Sequence, residues 1–508
     1  KMAMNAHLII TNHAMLLMDL TKEEPILPDY RYCIIDEAHH LEKTARNSFG
    51  HKVEYHLCKW LIGRLGTLEK AGLFFKLENL LGELEISPST HSFELDHTIS
   101  DMETELDDLF MLLSGFLTAE DENKSQAGTK LQIRINEQTR SKRQWKAVLM
   151  CSERLLAFHR DITRSLRERL MLLREKDEKP SDSDKAFIEE FNSFLEEWKL
   201  LGANIVEFIL TPSQKEIIWM DGDSRTLPNS LSLFGQPSNA GEKMAEILFK
   251  KKNSVVLTSA TLAVNGSFSY FLGQLGLRQD EVMVKTIASP FNYAEKTKLL
   301  VPVDLPEIRS SANDDYIEAI AGHIIAIAEA TEGRMLVLFT SYDMLRKTYH
   351  LIKDSEALED FVLLGQGITA GSRSRLTKSF QHFGKAILFG TSSFWEGVDI
   401  PGRDLTCLVI VRLPFSPPDE PVAEAKCQAI RQSGKNPFTE YSLPEAVIRF
   451  KQGVGRLIRS EDDKGIVIVM DRRIDTASYG KTFLRSIPDV PVERGALSDI
   501  IETIEEWL

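Results

Sequence analysis

The chain has 508 residues, 43% of them hydrophobic and 27% charged, with a formal net charge of −14 at pH 7. This composition excludes a disordered or fibrous chain and suits about three domains of roughly 150 residues each; no apolar run reaches the about 20 residues of a membrane span. The acidic balance excludes a global attraction to polyanions, so any nucleic-acid surface must be a local basic patch.

Residues 1–40 read as strand, helix, strand: AHLIITN, HAMLLMDL and YCIID. The first residues, KMAMNAHLIITNHAMLL, lack the charged region and cleavage site of a signal peptide and read as the interior of a domain, so the chain is expected to be part of something longer. The apolar run Tyr32-Cys33-Ile34-Ile35 ends abruptly in Asp36-Glu37-Ala38-His39. Two successive carboxylates at the end of a buried strand are costly unless chemistry uses them. In nucleotide-hydrolysing engines that place belongs to a magnesium-holding Asp and a water-orienting acid. An exposed turn capped by acids is the alternative. A zinc set of Asp36, His39 and His40 lacks a partner at suitable spacing.

From about residue 45 to 205, long stretches rich in Leu, Glu, Lys and Arg predict helices, broken by the polar tips AEDENKSQAGTK and KDEKPSDSDK. Around residues 153–175, Leu155, Ile162, Leu166, Leu170 and Leu173 form an apolar stripe, with Arg160, Arg164, Arg167 and Arg174 on an adjacent face. Arg140, Lys142, Arg143, Lys146 and Trp145 extend this patch upstream. It is either a DNA-contacting surface or a solvated helix face with i,i+4 pairs.

From IVEFIL onward strands return, as EIIWMD and then SVVLTSATL. The second ends in Thr258-Ser259-Ala260-Thr261, small hydroxyl residues at the strand end where α/β sheets bind ligands, though they also make ordinary helix caps. Beyond the loop ASPFNYAEKTK, the runs MLVLFTS, AILFGTS, CLVIVRL and GIVIVMD alternate with helical segments, which predicts a mainly parallel sheet covered on both faces. After AILF comes Gly390-Thr391-Ser392-Ser393-Phe394-Trp395-Glu396-Gly397-Val398-Asp399. Its glycines permit close ligand approach, Glu396 and Asp399 can sense a nucleotide or hold a basic partner, and Trp395 is either a base-stacking platform or core.

Ser442-Leu443-Pro444-Glu445 reads as a capping box with an early proline, so a helix begins there. Arg449, Gln452, Arg456 and Arg459 recur along it at three- and four-residue spacing, with Val447, Phe450, Val454, Leu457 and Ile458 on the other sides. Repeated arginine suits bidentate phosphate contacts and the arginine fingers of phosphoryl transfer, the alternative being a solvated face.

Taken in order, Asp-Glu-Ala-His, Thr-Ser-Ala-Thr, the Trp-Glu-Gly-Val-Asp segment and Gln-Gly-Val-Gly-Arg-Leu-Ile-Arg resemble motifs II, III, V and VI of superfamily 2 helicases. The forms SFWEGVDIPG, RLPFSPPDEP and QGVGRLIRS are similar to the XPD/DinG branch and most of all to its bacterial DinG-type members. The resemblance is specific over the last 220 or so residues and loose in the helical region.

The resemblance implies an α/β fold with two RecA-like parallel-sheet domains, the first incomplete here, and an inserted helical arch domain. The expected division is 1–45 and 203–288 for the first domain, 46–202 for the arch-like insertion and 289–508 for the second domain. It implies an ATP- and Mg²⁺-dependent helicase moving 5′→3′ on single-stranded DNA and acting on tailed or branched duplexes. Asp36 would hold Mg²⁺ through water, and Glu37 would orient or deprotonate the attacking water. His39, Ser259 and Thr261 would couple nucleotide state to domain closure. Gln452, Arg456 and Arg459 would reach the γ-phosphate, with Glu396, Gly397 and Asp399 lining the cleft. Thr340, Ser341 and Thr391 would contact the DNA backbone, joined by Arg160 and Arg164 if the helical patch binds DNA.

The chain departs from the family in one respect. No G-x-x-x-x-G-K-[ST] loop occurs; HFGKAILFG and QSGKNPFT have neither its spacing nor a preceding strand. The family places that loop and its adenine-contacting segment well upstream of Asp36. The chain is therefore expected to begin after them, to bind ATP weakly and not to hydrolyse it alone. The alternative to a motor is an ATP-regulated DNA-binding module of a DinG-type 3′–5′ exonuclease. The five cysteines (Cys33, Cys58, Cys151, Cys407, Cys427) are scattered without a C-x-x-C pair, so no iron–sulfur cluster is expected within these residues; a cytoplasmic, monomeric protein without membrane contact is expected.

Overall fold

A computed structural model of the chain describes residues 5–22, 24–122, 130–176, 181–307, 314–395, 400 and 402–508. These form two compact units. One holds Lys43–Ala240 with the N-terminal stretch up to Pro28 and Glu420–Ala425; the other holds Asp29–Glu42, Gly241–Asp419 and Lys426–Leu508.

The second unit is built on a seven-stranded sheet. Its strands run, across the sheet, Val492–Gly495, Thr297–Pro302, Gly465–Val469, Cys407–Ile410, Met335–Leu338, Ala386–Gly390 and Val362–Gly365. Every pairing is parallel. The four central strands are buried along their whole length, as expected when helices cover both faces. Alternate residues divide between two cores. Leu336, Leu338, Leu388, Leu408, Ile410, Val467 and Val469 meet Ala446, Val447, Phe450 and Val454 of helix Leu443–Val454. Met335, Val337, Ile387, Phe389, Val409 and Ile468 meet Ile317, Ile320, Ile324 and Ile327 of helix Asp314–Thr331. The period of two along each strand thus specifies both layers.

The same unit holds a separate parallel pair, Tyr32–Ile35 beside Ser254–Leu257, with Ile35 opposite Leu257. The α/β class with parallel sheets is therefore as expected. The strand before Asp36 is not fully buried, however: Ile35 is buried, while Tyr32 and Ile34 are 72% and 76% exposed.

The first unit is mainly helical, with helices Tyr55–Leu65, Leu73–Glu83, Ser92–Glu122, Trp145–Lys176 and Asp182–Ile205 around one core. Leu155, Ile162, Leu166, Leu170 and Leu173 are all buried in it. A four-stranded antiparallel sheet in the order His51–Glu54, Ser232–Pro237, Glu216–Asp223, Lys130–Arg134 belongs to this unit.

Three local expectations are corrected. AHLIITN is not a strand: Leu8 and Ile10 are exposed and the stretch joins no sheet. IVEFIL is helical, the end of Asp182–Ile205 continued by a π-helical turn Val206–Leu210. A short apolar run fits a buried helix as well as a strand, and here the preceding helix decides. EIIWMD is a strand, but it pairs antiparallel with Lys130–Arg134 and Ser232–Pro237 rather than joining Ser254–Leu257 in a parallel sheet. Residues 203–240, expected in the first parallel domain, thus fall with the helical region. Both faces of Glu216–Asp223 are covered, Ile218 and Met220 by the helical core and Ile217 and Trp219 by Val422 and Ala425. That double burial is why its sequence reads like a central parallel strand.

Candidate functional site

The site is set by the register of the two-stranded pair. With Ile35 opposite Leu257, both chains leave the sheet together. The Thr258 N–H donates to Ile35 O at 2.9 Å and the Ala38 N–H to Thr258 O at 3.0 Å, clipping the two strand ends side by side. Glu37 turns between them in the left-handed region, φ 48° and ψ 42°, which a non-glycine residue adopts at a cost of order 1–3 kcal/mol.

Asp36 accepts the Glu37 N–H at 2.9 Å, and the Glu37 carboxylate stands 62% exposed. His39 Nδ1 lies 2.7 Å from Ser259 Oγ and 3.3 Å from Glu37 Oε2. Ser259 Oγ lies 3.4 Å from both Glu37 Oε2 and Thr261 Oγ1, and accepts the Thr261 N–H at 3.2 Å. His39 Nε2 and His40 Nε2 are 2.9 Å apart, so one of the two must donate. Nδ1 protonation on His39 satisfies Ser259 and Glu37 together and leaves His39 Nε2 as acceptor for His40. Buried Thr261 continues the chain, Gln452 Nε2 reaching its Oγ1 at 3.3 Å. Glu37, His39, Ser259, Thr261 and Gln452 therefore form one connected polar string, with Asp36 at its end. Glu42, nearly buried after these acids, is held by Lys426 Nζ at 2.9 Å, which anchors the start of the helix that follows.

The arginine stripe is not one helix face. The helix starts at Leu443, but Ser442 makes no side-chain cap because the chain enters from a preceding helical turn, Phe438–Ser442. Glu445 is engaged by Arg449 at 2.6 Å, and Arg449 also donates to Ser416 Oγ at 2.8 Å. The helix ends at Val454, so Arg456 and Arg459 lie beyond it. Arg456 is buried and donates through Nε and Nη2 to the Trp395 carbonyl at 3.1 and 2.5 Å. Arg459 is exposed on a turn braced by Asp463, whose Oδ2 accepts the backbone N–H groups of Arg459 and Ser460 at 2.7 and 2.8 Å. Burial pushes the Asp463 carboxyl up, yet these donors hold it below the usual range. Trp395 is core: it is buried and its Nε1 donates to Phe339 O at 3.2 Å. Glu396, Gly397 and Asp399 lie outside the described residues.

Thr340, Ser341 and Thr391 sit at the ends of adjacent strands, Gly390 being opposite Leu338. Ser341 caps helix Tyr342–Asp354, its Oγ accepting the Met344 N–H. Thr391 is held by Gln366, whose Oε1 accepts its N–H at 2.8 Å and its hydroxyl at 3.0 Å. Gln366, Lys426, Glu42 and Asp463 were not singled out by sequence reasoning. Only Gly365-Gln366-Gly367, two glycines around a polar residue after an apolar run, carried a visible signal.

On helix Trp145–Lys176, Arg160, Arg164, Arg167 and Arg174 are exposed; Arg164 pairs with Asp161, and Arg174 donates to Asn192 Oδ1 at 3.0 Å. The upstream extension fails in two places. Trp145 is buried in the core, and Arg140 turns inward to donate to the carbonyls of Ile209 and Phe208 at 2.5 and 2.6 Å, its guanidinium pushed down to about 10 by burial. All five cysteines are free thiols. Among the described residues no group of three His, Cys, Asp or Glu side chains converges to hold a metal, and no helix is long and apolar enough to cross a membrane.

Residues 324–490 match the family model described as a helicase C-terminal domain. The chain is 36% identical over 505 residues to the 3′–5′ exonuclease DinG of Bacillus subtilis, covering 98% of this chain and 53% of that protein. It is 29% identical over 500 residues to the ATP-dependent DNA helicase YoaA of Haemophilus influenzae, covering 96% of this chain and 68% of that one. The chain thus spans about half the length of the DinG relative. In fold it is similar to solved XPD structures: the apo form has a TM-score of 0.50 at 15% identity, covering 91% of this chain and 76% of that one. The shared motifs and these matches make the chain similar, over nearly its whole length, to the DinG- and YoaA-type helicases of the XPD/DinG branch of superfamily 2.

Proposed function

We propose that this chain carries the motor part of an ATP-dependent DNA helicase that moves 5′→3′ on single-stranded DNA. The observation that carries the reading is the polar string Glu37–His39–Ser259–Thr261–Gln452, which joins two strand ends to helix Leu443–Val454. In this reading the two-stranded pair belongs to the first RecA-like domain, the seven-stranded sheet is the second, and the helical unit is the arch-like insertion.

The donor set fits nucleotide chemistry. Asp36 is an exposed carboxylate at a strand end, which suits Mg²⁺ held through water and substrate phosphates rather than in a protein cage. When bound, Mg²⁺ and ATP supply the electrophile and the leaving group. Exposed Glu37 orients the attacking water and takes its proton. Ser259 and Thr261 pass the position of Glu37 and His39 to Gln452. Arg459 stands exposed beyond the helix and meets developing phosphate charge from there. Arg456 reaches the same charge only by giving up the Trp395 carbonyl.

The test uses the protein at full length on a duplex with a 5′ single-stranded tail. ATP-dependent strand separation that is lost in Glu37→Gln supports the motor and its catalytic acid. The relatives named 3′–5′ exonuclease DinG favour a second reading, an ATP-regulated DNA-binding module. ATP altering DNA binding or cleavage without any unwinding would select that reading.

A further inference from the structure

We infer that the donor presented to nucleic-acid phosphate at the end of strand Ala386–Gly390 is the side-chain amide of Gln366, not the hydroxyl of Thr391. The inference rests on the single-stranded DNA reading above and changes which atom makes the contact.

Hydrogen-bond polarity decides between the two groups. The Thr391 backbone N–H can only donate, so the Gln366 atom 2.8 Å from it must be the carbonyl oxygen; this fixes the amide orientation. The same Oε1 lies 3.0 Å from Thr391 Oγ1. Two acceptors do not bond to each other, so the hydroxyl proton of Thr391 is committed to Gln366. What Thr391 then presents outward is lone pairs, which repel a phosphate oxygen. Gln366 Nε2 carries two N–H groups, has no hydrogen-bond partner among the described residues and is not buried. It is the free donor of the pair.

The turn carrying Gln366 is braced. Its own N–H donates to Phe389 O at 3.0 Å, and the Thr369 N–H donates to Gly365 O at 2.8 Å. Gly367 has φ +71°, and a Cβ there would meet Tyr342 Oη at 2.8 Å, so the turn closes only with glycine. Exposed Arg373 and Arg375 begin the helix that follows, and Arg373 donates to Ser393 O at 3.0 Å. A fixed neutral donor, with two exposed arginines at the start of the helix that follows, suits a phosphodiester backbone. Ser341 differs from Thr391: its Oγ accepts a backbone N–H, leaving its own proton to donate.

Binding of fluorescein-labelled oligo(dT) to the chain, read by anisotropy, tests this. Gln366→Glu keeps an oxygen for both Thr391 donors but replaces the outward amide by a charged oxygen. We expect an affinity loss of about tenfold or more, the worth of a hydrogen bond to a charged group, with an unchanged thermal midpoint. Gln366→Met, which removes the donor without adding charge, should lose more than Thr391→Val. Gln366→Glu binding within about twofold of the unaltered chain, or Thr391→Val losing more than Gln366→Met, would overturn the inference. An unaltered chain that binds no oligo(dT) would overturn the DNA reading itself and the inference with it.

Discussion

Arg169 lies on the same helix as exposed Arg160 and Arg164, yet its side chain is fully buried. Its guanidinium meets Glu78 Oε1 at 2.5 Å, Ser165 Oγ at 2.5 Å and the Thr90 carbonyl at 2.9 Å. Glu78 uses its other oxygen to accept from Ser92 at 2.5 Å. Arg169→Met conserves much of the volume but leaves the Glu78 carboxylate, itself mostly buried, with only a hydroxyl donor. Breaking a buried pair from one side costs about 3–5 kcal/mol, whereas replacing both charges is often close to neutral. Urea unfolding followed by tryptophan fluorescence reads the loss, since Trp145 and Trp198 are buried in this core. The single variant should lose about 3 kcal/mol or more at pH 7. Arg169→Met with Glu78→Leu should recover most of the deficit. A single variant within about 1 kcal/mol of the original, or a double variant as unstable as the single, would refute the reasoning.

Arg160→Glu with Arg164→Glu should leave stability unchanged but flatten the salt dependence of oligo(dT) binding. Removing one phosphate neutralisation lowers the slope by about 0.7 for a single strand, and an unaltered slope would assign this face to solvent. His159 is buried against Trp198, with its Nε2 2.8 Å from the Trp198 carbonyl, and burial lowers its pKa. The folded state therefore favours neutral imidazole and the unfolded state binds the extra proton. Stability of the helical unit should fall as pH drops below the unfolded value of about 6.5, and His159→Gln should remove that dependence; equal pH profiles for the two would contradict it.

How much of this was legible follows from how each signal is encoded. The central strands were readable because MLVLFTS, AILFGTS, CLVIVRL and GIVIVMD are apolar at nearly every position, as a doubly covered parallel sheet demands. The site acids were readable because Asp36 and Glu37 interrupt such a run at once. IVEFIL and EIIWMD misled because burial on both sides erases the periodicity that separates helix, antiparallel strand and parallel strand. Arg169 was missed for a related reason. It falls among Leu166, Leu170 and Leu173 on the buried face, where only its partner Glu78, far away in sequence, explains an arginine. The Ser442 capping box failed because a cap needs a non-helical residue before the helix, and here the preceding turn is helical already.

Gln366 and Gln452 show what the same side chain can do in two settings. A backbone N–H fixes Gln366, so its amide has one orientation and one outward donor. Gln452 faces only the Thr261 hydroxyl, which can donate or accept, so neither orientation is imposed. Its remaining amide atom, Oε1 as placed, is buried without a hydrogen-bond partner among the described residues. Flipping the amide would strand Nε2 in its place. An unmade bond at a buried polar atom costs about 1–3 kcal/mol, a debt that a ligand or a shift of helix Leu443–Val454 can remove. Among the described residues, Gln452 is thus the link of the polar string that holds a buried unmet bond, and the string begins at Glu37, where a nucleotide's attacking water is proposed to sit. In the proposed motor, a change at Glu37 would travel through His39, Ser259 and Thr261 to a residue whose buried amide oxygen still has a bond to make.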